Sequence, residues 1–355
     1  MRIGVDARAA TEERAGRGTV VRELLRAWAR SDVPHRFVLY ARKPWDAPLD
    51  DRFSWRPIQS RDPVWHVRTA RAANRECDAF LSTNSYLTSW FLGIPTVVMV
   101  MDTVAWRREL RPQRRAGLIE RATLPLAVRR AQAFLCISES TARDLTARFP
   151  RAAGRAHAVP LAADERFRPD GPGTQLISEA YVLGVGTLEP RKNLPRLIEA
   201  FAGLPEEVRA GRVLALAGPI GWETGETLQA LRRHEGLVRL LGYVPDEELP
   251  SLYRGAELFA YPSLYEGFGL PVLEAMACGA AVLTSSVSSL PEVAGDAALY
   301  VDPTDLASIR DGLTTALTDS ALRERLAAAG LARAGGYSWD RTARGAVALL
   351  EDVGA

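Results

Sequence analysis

Short apolar runs alternate with helix-length amphipathic segments almost from one end of this chain to the other. The first half offers RIGVDA, RFVLYA, DAFLST, PTVVMVMD and AFLCIS as strands, and the second AYVLGVG, RVLALAG, VRLLG, ELFAYPS, AVLTSS and ALYVD. Segments that read as helices lie between them, at 17–30, 112–131, 138–148, 193–203, 225–235, 246–255, 270–278, 304–318 and 319–333. Such alternation over both halves predicts an α/β chain with two parallel, helix-covered sheets. The continuous apolar character of the runs agrees, because a parallel sheet buries both faces. At 355 residues the chain suits two domains better than one core. The polar stretch ADERFRPDGPGTQ, residues 163–175, holds two prolines and two glycines and is the expected break. This gives one Rossmann-like domain over 1–170, a second over 171–335, and a last amphipathic helix within 336–355 that packs back toward the first. Ligands of such folds bind at the carboxyl edges of the sheets, here expected to face a cleft between the domains.

Charge is unevenly divided. Residues 1–170 carry 30 Arg and Lys against 19 Asp and Glu, whereas the remainder carries 15 against 24. A basic half can attract nucleic acid, an anionic membrane surface or an anionic substrate. No apolar run approaches the 18 or so residues of a spanning helix, and MRIGVDAR enters a strand pattern at once, so a secretory signal or membrane anchor is not expected. Cys77, Cys136 and Cys278 are far apart and set among apolar residues, which is neither a disulfide framework nor a zinc pattern. A reducing cytoplasm follows as the expected location.

Only two of the 45 basic residues are lysines, Lys43 and Lys192. Lys192 follows Arg191 in YVLGVGTLEPRKNLPRLIEAFA, where a buried strand ends in a short loop before a helix. Adjacent cations at the carboxyl edge of a sheet suit a diphosphate, Arg forking to two oxygens while Lys acts as a point charge; the plainer reading is a basic pair on a solvated loop. GVGTLE lacks the third glycine of a dinucleotide fingerprint, so NAD is not expected. The stretch YPSLYEGFGLPVLEAMACG reads as a strand, a loop and a helix with proline in its first turn. The amide groups at that helix start form a natural anion site. Glu266 in the loop would face a ligand, and Glu274, about one turn into the helix, can accept hydrogen bonds from vicinal hydroxyls such as those of a ribose. The plainer alternative makes Glu274 a local partner and Glu266 merely exposed. Read together, the pieces describe a nucleoside diphosphate with a sugar attached.

The E-x7-E spacing in EGFGLPVLE, with RKN after VGTLEP, resembles the family 4 retaining glycosyltransferases of GT-B fold. AGRGTVVRELL, ISESTARDL, VPLAADERFRP, LLGYVPDEELPSLYRGAELFAYPS and YSWDRTA fall in that family's order, and the branch most similar contains bacterial mannosyl- and rhamnosyl-type transferases of surface-polysaccharide synthesis. The resemblance implies that Arg191 and Lys192 neutralise the donor diphosphate and the charge that develops on it. It implies that Glu266 lies beside the donor sugar, that Phe268 and Gly269 supply backbone contacts, and that Glu274 holds the ribose. Thr187 and Leu270 fall in the same motifs and Gly218 ends RVLALAG, and all three are expected at the donor, while Gly16 and Gly18 would serve the phosphates and the acceptor from the first domain. It further implies retention of anomeric configuration, a nucleotide-sugar donor with a GDP-sugar favoured, no cofactor and no metal. The acceptor would be a glycan, a lipid-linked species or a small molecule. No Asp-x-Asp and no His/Cys ligand cluster stands in the sequence.

One departure from the family stands out. Met101-Asp102 occupies the place of the usual His-Asp, and methionine can neither donate a hydrogen bond nor share a proton. Asp102 is kept as a catalytic candidate. The stretch WRRELRPQRRAGLIERATLPLAVRR is dense in arginine with Leu and Ile interleaved. It suits either a solvated helix face or a peripheral contact with an anionic membrane at its inner face, and no nucleic-acid recognition module accompanies it. A nucleotide-sugar epimerase, a UDP-sugar or natural-product transferase, and a non-catalytic sugar-nucleotide-binding partner are the alternatives.

Overall fold

The computed structural model describes residues 1–13, 16–83 and 86–355; Ala15, at the head of the AGRGTVVRELL stretch, lies outside them. The chain divides into two compact units, one of Met1–Trp106, Arg114–Leu161 and Ser338–Ala355, the other of Arg107–Gln113 and Ala162–Tyr337. Each is built on a parallel sheet flanked by helices, as the strand–helix alternation predicts.

The first sheet contains β1 (Arg2–Asp6), β2 (Arg36–Ala41), β3 (Phe53–Pro57), β4 (Ala79–Ser82), β5 (Thr96–Val100), β6 (Ala133–Cys136) and β7 (Ala156–Ala158), in the order β3-β2-β1-β4-β5-β6-β7. The second contains β8 (Ala180–Val185), β9 (Arg212–Ala217), β10 (Val238–Gly242), β11 (Leu258–Tyr261), β12 (Val282–Ser285) and β13 (Leu299–Val301), in the order β10-β9-β8-β11-β12-β13. In both, strand order reverses beside the first strand, between β1 and β4 and between β8 and β11. Such a reversal of strand order, at the carboxyl ends of the strands, is the ligand-binding position of open α/β sheets.

The central strands are buried along their length because both faces are covered. Val182, Leu214, Leu258 and Leu283 from the second sheet share one core with Leu197, Ile198 and Phe201 from the helix Leu194–Ala202. The last helix, Trp339–Gly354, belongs to the first unit: Trp28 Nε1 donates to Ala343 O at 3.0 Å, and Thr342 Oγ1 donates to Pro160 O at 2.6 Å.

Several elements go beyond the sequence reading, among them two edge strands, the helix Val64–Glu76 and the short helices Arg8–Glu12, Tyr86–Phe91, Glu206–Arg209 and Leu290–Ala294. Strand β3 has the sequence FSWRP and lies at an edge, largely exposed, so it lacks an apolar run. Strand β7, AHA, is a three-residue edge strand on the other side. The helix Val64–Glu76 carries arginines on its outer face and buries only a narrow stripe that includes Trp65, His66, Thr69, Ala70 and Ala73.

Candidate active site

The loop after β8 and the loop after β11 flank the point where the second sheet reverses its order. The β8 loop turns through Gly186, at φ +137°, and closes with Asn193 in the left-handed region at φ 60°. Asn193 is held there by its own side chain, whose Nδ2 donates to Pro262 O at 3.0 Å and to Pro303 O at 2.7 Å. A Cβ at position 186 would lie 3.1 Å from Lys192 Cε, so glycine makes room for the lysine to fold back across the loop. Gly218, at φ +152°, is fixed by a closer approach: a Cβ there would stand 2.0 Å from Gly186 O. Glycine is thus required at 218 to let two loop backbones touch, and Gly186 N–H donates to Ala217 O at 2.8 Å beside it. Thr187, half-exposed, lies on the same turn.

These loops bring Arg191, Lys192 and Glu266 together. Lys192 Nζ donates to Glu266 Oε1 at 2.7 Å, Tyr261 Oη donates to the same oxygen at 2.8 Å, and the Arg191 guanidinium donates to Oε2. Arg191 Nε also pairs with Glu189 Oε1 at 2.6 Å, and Lys192 Nζ contacts Tyr261 Oη and lies over its ring. Glu266 and Lys192 are 6% and 8% exposed, while the Arg191 side chain is 23% exposed and is the more accessible of the two cations. Burial alone would push the Glu266 carboxyl up. The charges of Arg191 and Lys192 and the hydrogen bonds from Lys192 and Tyr261 outweigh it and hold the group at about 2, so it is ionised. Burial, then the Glu266 charge, pushes the Tyr261 phenol well above its usual range, which keeps it a donor.

The Glu266 loop is clamped from the next strand by hydroxyls that the sequence reading passed over. Ser289 Oγ donates to Glu266 O at 2.9 Å and is also placed to donate to Phe268 O at 2.8 Å. Glu266 N–H donates to Ser288 Oγ at 2.9 Å, and Ser285 Oγ donates to Ser263 O at 2.7 Å. Phe268 is buried against Tyr337. Gly269, at φ +105°, opens the helix Leu270–Ala277 without a side-chain cap, leaving its first turn available to an anion. Leu270 begins that helix, half-buried. Ser289→Ala leaves buried carbonyls without their donor and is expected to lower stability by about 1–3 kcal/mol. Denaturant unfolding measures that loss, and an unchanged midpoint would show that the hydroxyl clamp carries no energy.

Glu274, half-buried on the same helix, accepts from Tyr253 Oη at 3.0 Å. Burial, joined by the charges of Asp246 and Asp164, pushes its carboxyl up to about 7, against the Tyr253 hydrogen bond and Arg166. A folded pKa above the ordinary 4.5 means that ionising Glu274 costs stability, and that the cost grows as pH rises from about 4.5 to about 7. Glu274→Gln should therefore raise the melting temperature relative to the parent protein at pH 8 and lose that advantage at pH 4.5. An equal difference at both values would place the titration elsewhere.

Asp102, Gly16 and Gly18 belong to the first unit. Asp102 follows β5, and its Oδ1 accepts from Val104 N–H at 2.9 Å. Its charge is felt by Glu120, on the helix Arg114–Arg130, whose carboxyl is pushed up to about 7 by burial first and then by Asp102, while Arg17 opposes. Arg17 Nη2 lies 3.9 Å from Glu120 Oε1. Glu120 is a titratable group that the sequence reading missed, since nothing in its neighbours along the chain announces its burial. Gly16 caps the helix Arg17–Arg30 at φ 59° and is exposed, whereas a Cβ at Gly18 would stand 1.9 Å from Glu13 O. Gly18 therefore has a packing role of its own, admitting the backbone of the preceding segment. Met101 is half-exposed beside Asp102.

Comparison with known proteins agrees with this architecture. Residues 15–167 match the model of Glycosyltransferase Family 4, and residues 175–333 match that of Glycosyl transferases group 1. The chain is 41% identical over 242 residues to O-antigen chain mannosyltransferase B of Escherichia coli, covering 65% of this chain and 63% of that protein. It is 36% identical over 231 residues to the serotype-specific mannosyltransferase WbdA of Escherichia coli, covering 61% of this chain and 28% of that protein. The aligned region thus spans less than two thirds of either relative. Among solved structures, HepE of Anabaena, in complex with UDP and glucose, superposes with a TM-score of 0.79 at 17% identity, over 99% of this chain and 100% of that one. With one family model on each half and the reversed-order parallel sheets expected of them, the chain belongs to the family 4 glycosyltransferases of GT-B fold.

Proposed function

We propose that this protein is a retaining hexosyltransferase that moves a mannose-like sugar from a nucleotide-sugar donor, preferentially a GDP-sugar, to a glycan or lipid-linked acceptor in surface-polysaccharide synthesis. The observation that carries the reading is the Arg191–Lys192–Glu266 cluster at the switch point of the second sheet, with Lys192 and Glu266 buried. The mannosyl preference is supported by the two Escherichia coli relatives, which are named as mannosyltransferases.

In this reading the donor diphosphate meets Arg191 and Lys192 at the end of β8, with the first turn of the helix Leu270–Ala277 adding amide dipoles. Glu274 accepts from the ribose hydroxyls. As the bond between the anomeric carbon and the phosphate oxygen breaks, negative charge grows on the diphosphate and positive charge on the sugar. The two cations stabilise the first, the electrostatic contribution expected to dominate such a step, and ionised Glu266 stabilises the second. Both Glu266 oxygens already accept hydrogen bonds from Lys192, Tyr261 and Arg191, which suits an electrostatic role better than a covalent one. The acceptor hydroxyl then attacks from the face that the diphosphate leaves, its proton passing to the departing phosphate oxygen, so configuration is retained. Charge neutralisation by Arg191 and Lys192 takes the place of a divalent metal.

Proton NMR of the product from GDP-α-mannose, with chelator present, tests the reading. It predicts an α-linked product at an unchanged rate; a β-linked product, or loss of activity on chelation, would contradict it.

A further inference from the structure

Residues Arg107–Gln113 come from the first half of the chain, yet they fold as part of the second unit. Their conformation is specific. Arg108–Leu110 form one short 3-10 turn with Leu110 buried, and Arg111 closes it in the left-handed region at φ 48°. A residue with a side chain adopts that conformation at a cost, so its surroundings must hold it there. Trp222, in the loop after β9, does so: its Nε1 donates to Arg111 O at 2.9 Å. Arg111 Nη1 also pairs with Glu226 Oε1 at 2.8 Å, on the helix Gly225–Arg233. Both partners of that ion pair are exposed, so it adds little. The indole hydrogen bond is the contact specific to this backbone conformation.

The other end of the segment reaches the loop after β11. The Arg107 guanidinium lies over the Tyr265 ring, 4.5 Å from its centroid, and Tyr265 is buried. Tyr265 belongs to the stretch that grips Arg191. Leu264 N–H donates to Arg191 O at 2.8 Å, Arg191 Nη1 donates to Tyr265 O at 3.2 Å, and the same nitrogen donates to Glu266 Oε2. Arg191 is the more accessible cation of the cluster, so whatever fixes Tyr265 also fixes the direction of that guanidinium.

We propose that Arg107 is a positioning residue for the donor site. The segment Arg107–Gln113, fastened by Trp222, places the Arg107 guanidinium on Tyr265 and so holds Arg191 in the geometry that receives a diphosphate. The inference rests on the donor reading above and assigns no contact between Arg107 and the sugar nucleotide. The ring quadrupole attracts a cation over its face, and more strongly where the ring is shielded from water. A guanidinium aligned before the ligand arrives costs no ordering on binding.

Calorimetric titration with GDP and UDP tests it, read on whichever binds the unaltered protein more tightly. Arg107→Ala should weaken that diphosphate about 5–10-fold, the scale of one partly desolvated cation–π contact. Arg107→Lys keeps a cation over the ring and should stay within about threefold of the parent. Tyr265→Leu should lose about as much as Arg107→Ala, and the two together no more than Tyr265→Leu alone, because Arg107 acts only through the ring. Trp222→Phe removes the N–H anchor and should weaken binding about threefold, an effect that disappears when Arg107 is already alanine. Additive losses for Arg107→Ala and Tyr265→Leu would put Arg107 on the ligand itself and overturn the positioning role. An Arg107→Ala protein that melts lower yet binds the diphosphate as the parent does overturns it too, since the loss is then structural only. The lysine and phenylalanine variants keep the test decisive if Tyr265→Leu does not fold. If the unaltered protein binds neither diphosphate, the donor reading falls and this inference with it; if it binds one and Arg107→Ala binds it equally, only the positioning role falls.

Discussion

Glu266→Gln should lower turnover about 100-fold or more, the scale of losing one preorganised charge at the transition state, while nucleotide diphosphate affinity stays within about threefold or tightens. The asymmetry follows from the cluster. Glu266 is the carboxylate shared by Arg191 and Lys192, so removing its charge leaves Lys192 and the Glu189-paired Arg191 more cationic toward phosphate even as it removes the anion beside the sugar. The same substitution leaves the buried Lys192 without its carboxylate partner, a change that typically costs about 3–5 kcal/mol. The pH dependence has a definite direction. Glu266 is held at about 2, below its ordinary 4.5, so its stabilising contribution is complete above about 4.5 and is lost as pH falls toward 2. The stability gap between parent and variant should therefore be widest near neutrality and narrow in acid. Steady-state kinetics, calorimetric titration with GDP and denaturant unfolding read the three parts separately. Unchanged turnover would remove Glu266 from the mechanism.

Lys192→Ala should weaken GDP binding about 100-fold, the scale of truncating one member of a buried, hydrogen-bonded charge pair, and GMP binding by less than about threefold. Lys192 is buried behind Gly186 and fixed by Glu266 and Tyr261, so its position is set before any ligand arrives. A preset cation favours the second phosphate and is indifferent to the base and ribose. Equal losses for GDP and GMP, measured by calorimetry, would show that the diphosphate lies elsewhere.

Much of this was legible in the sequence, for identifiable reasons. β8 and β11 are buried on both faces, so each appears as an uninterrupted apolar run. The residues that follow them, Arg191, Lys192 and Glu266, stand out because charge is rare there. The contacts that fix those residues are a different matter. Ser288 and Ser289 clamp the Glu266 loop from more than twenty positions away, and a serine in a loop gives no sign of its partner. Gly218 is required by the carbonyl of Gly186, a backbone contact between neighbouring strands' loops that no local pattern encodes. The elevated carboxyl of Glu120 arises from burial beside Asp102 and Arg17, which come from other elements of the first unit. Edge strands such as β3 hide for the opposite reason: one exposed side lets Ser, Arg and Pro replace the apolar run.

The most direct measurement is thermal melting of the purified protein with GDP, UDP, ADP or TDP, with chelator present. A diphosphate at a hundred times its dissociation constant should add about 2.7 kcal/mol, seen as a shift of several degrees. The account predicts the largest shift with GDP and its loss in the Lys192→Ala protein. No shift with any of the four, or a full shift in that variant, would contradict a nucleotide-sugar site built on Arg191, Lys192 and Glu266.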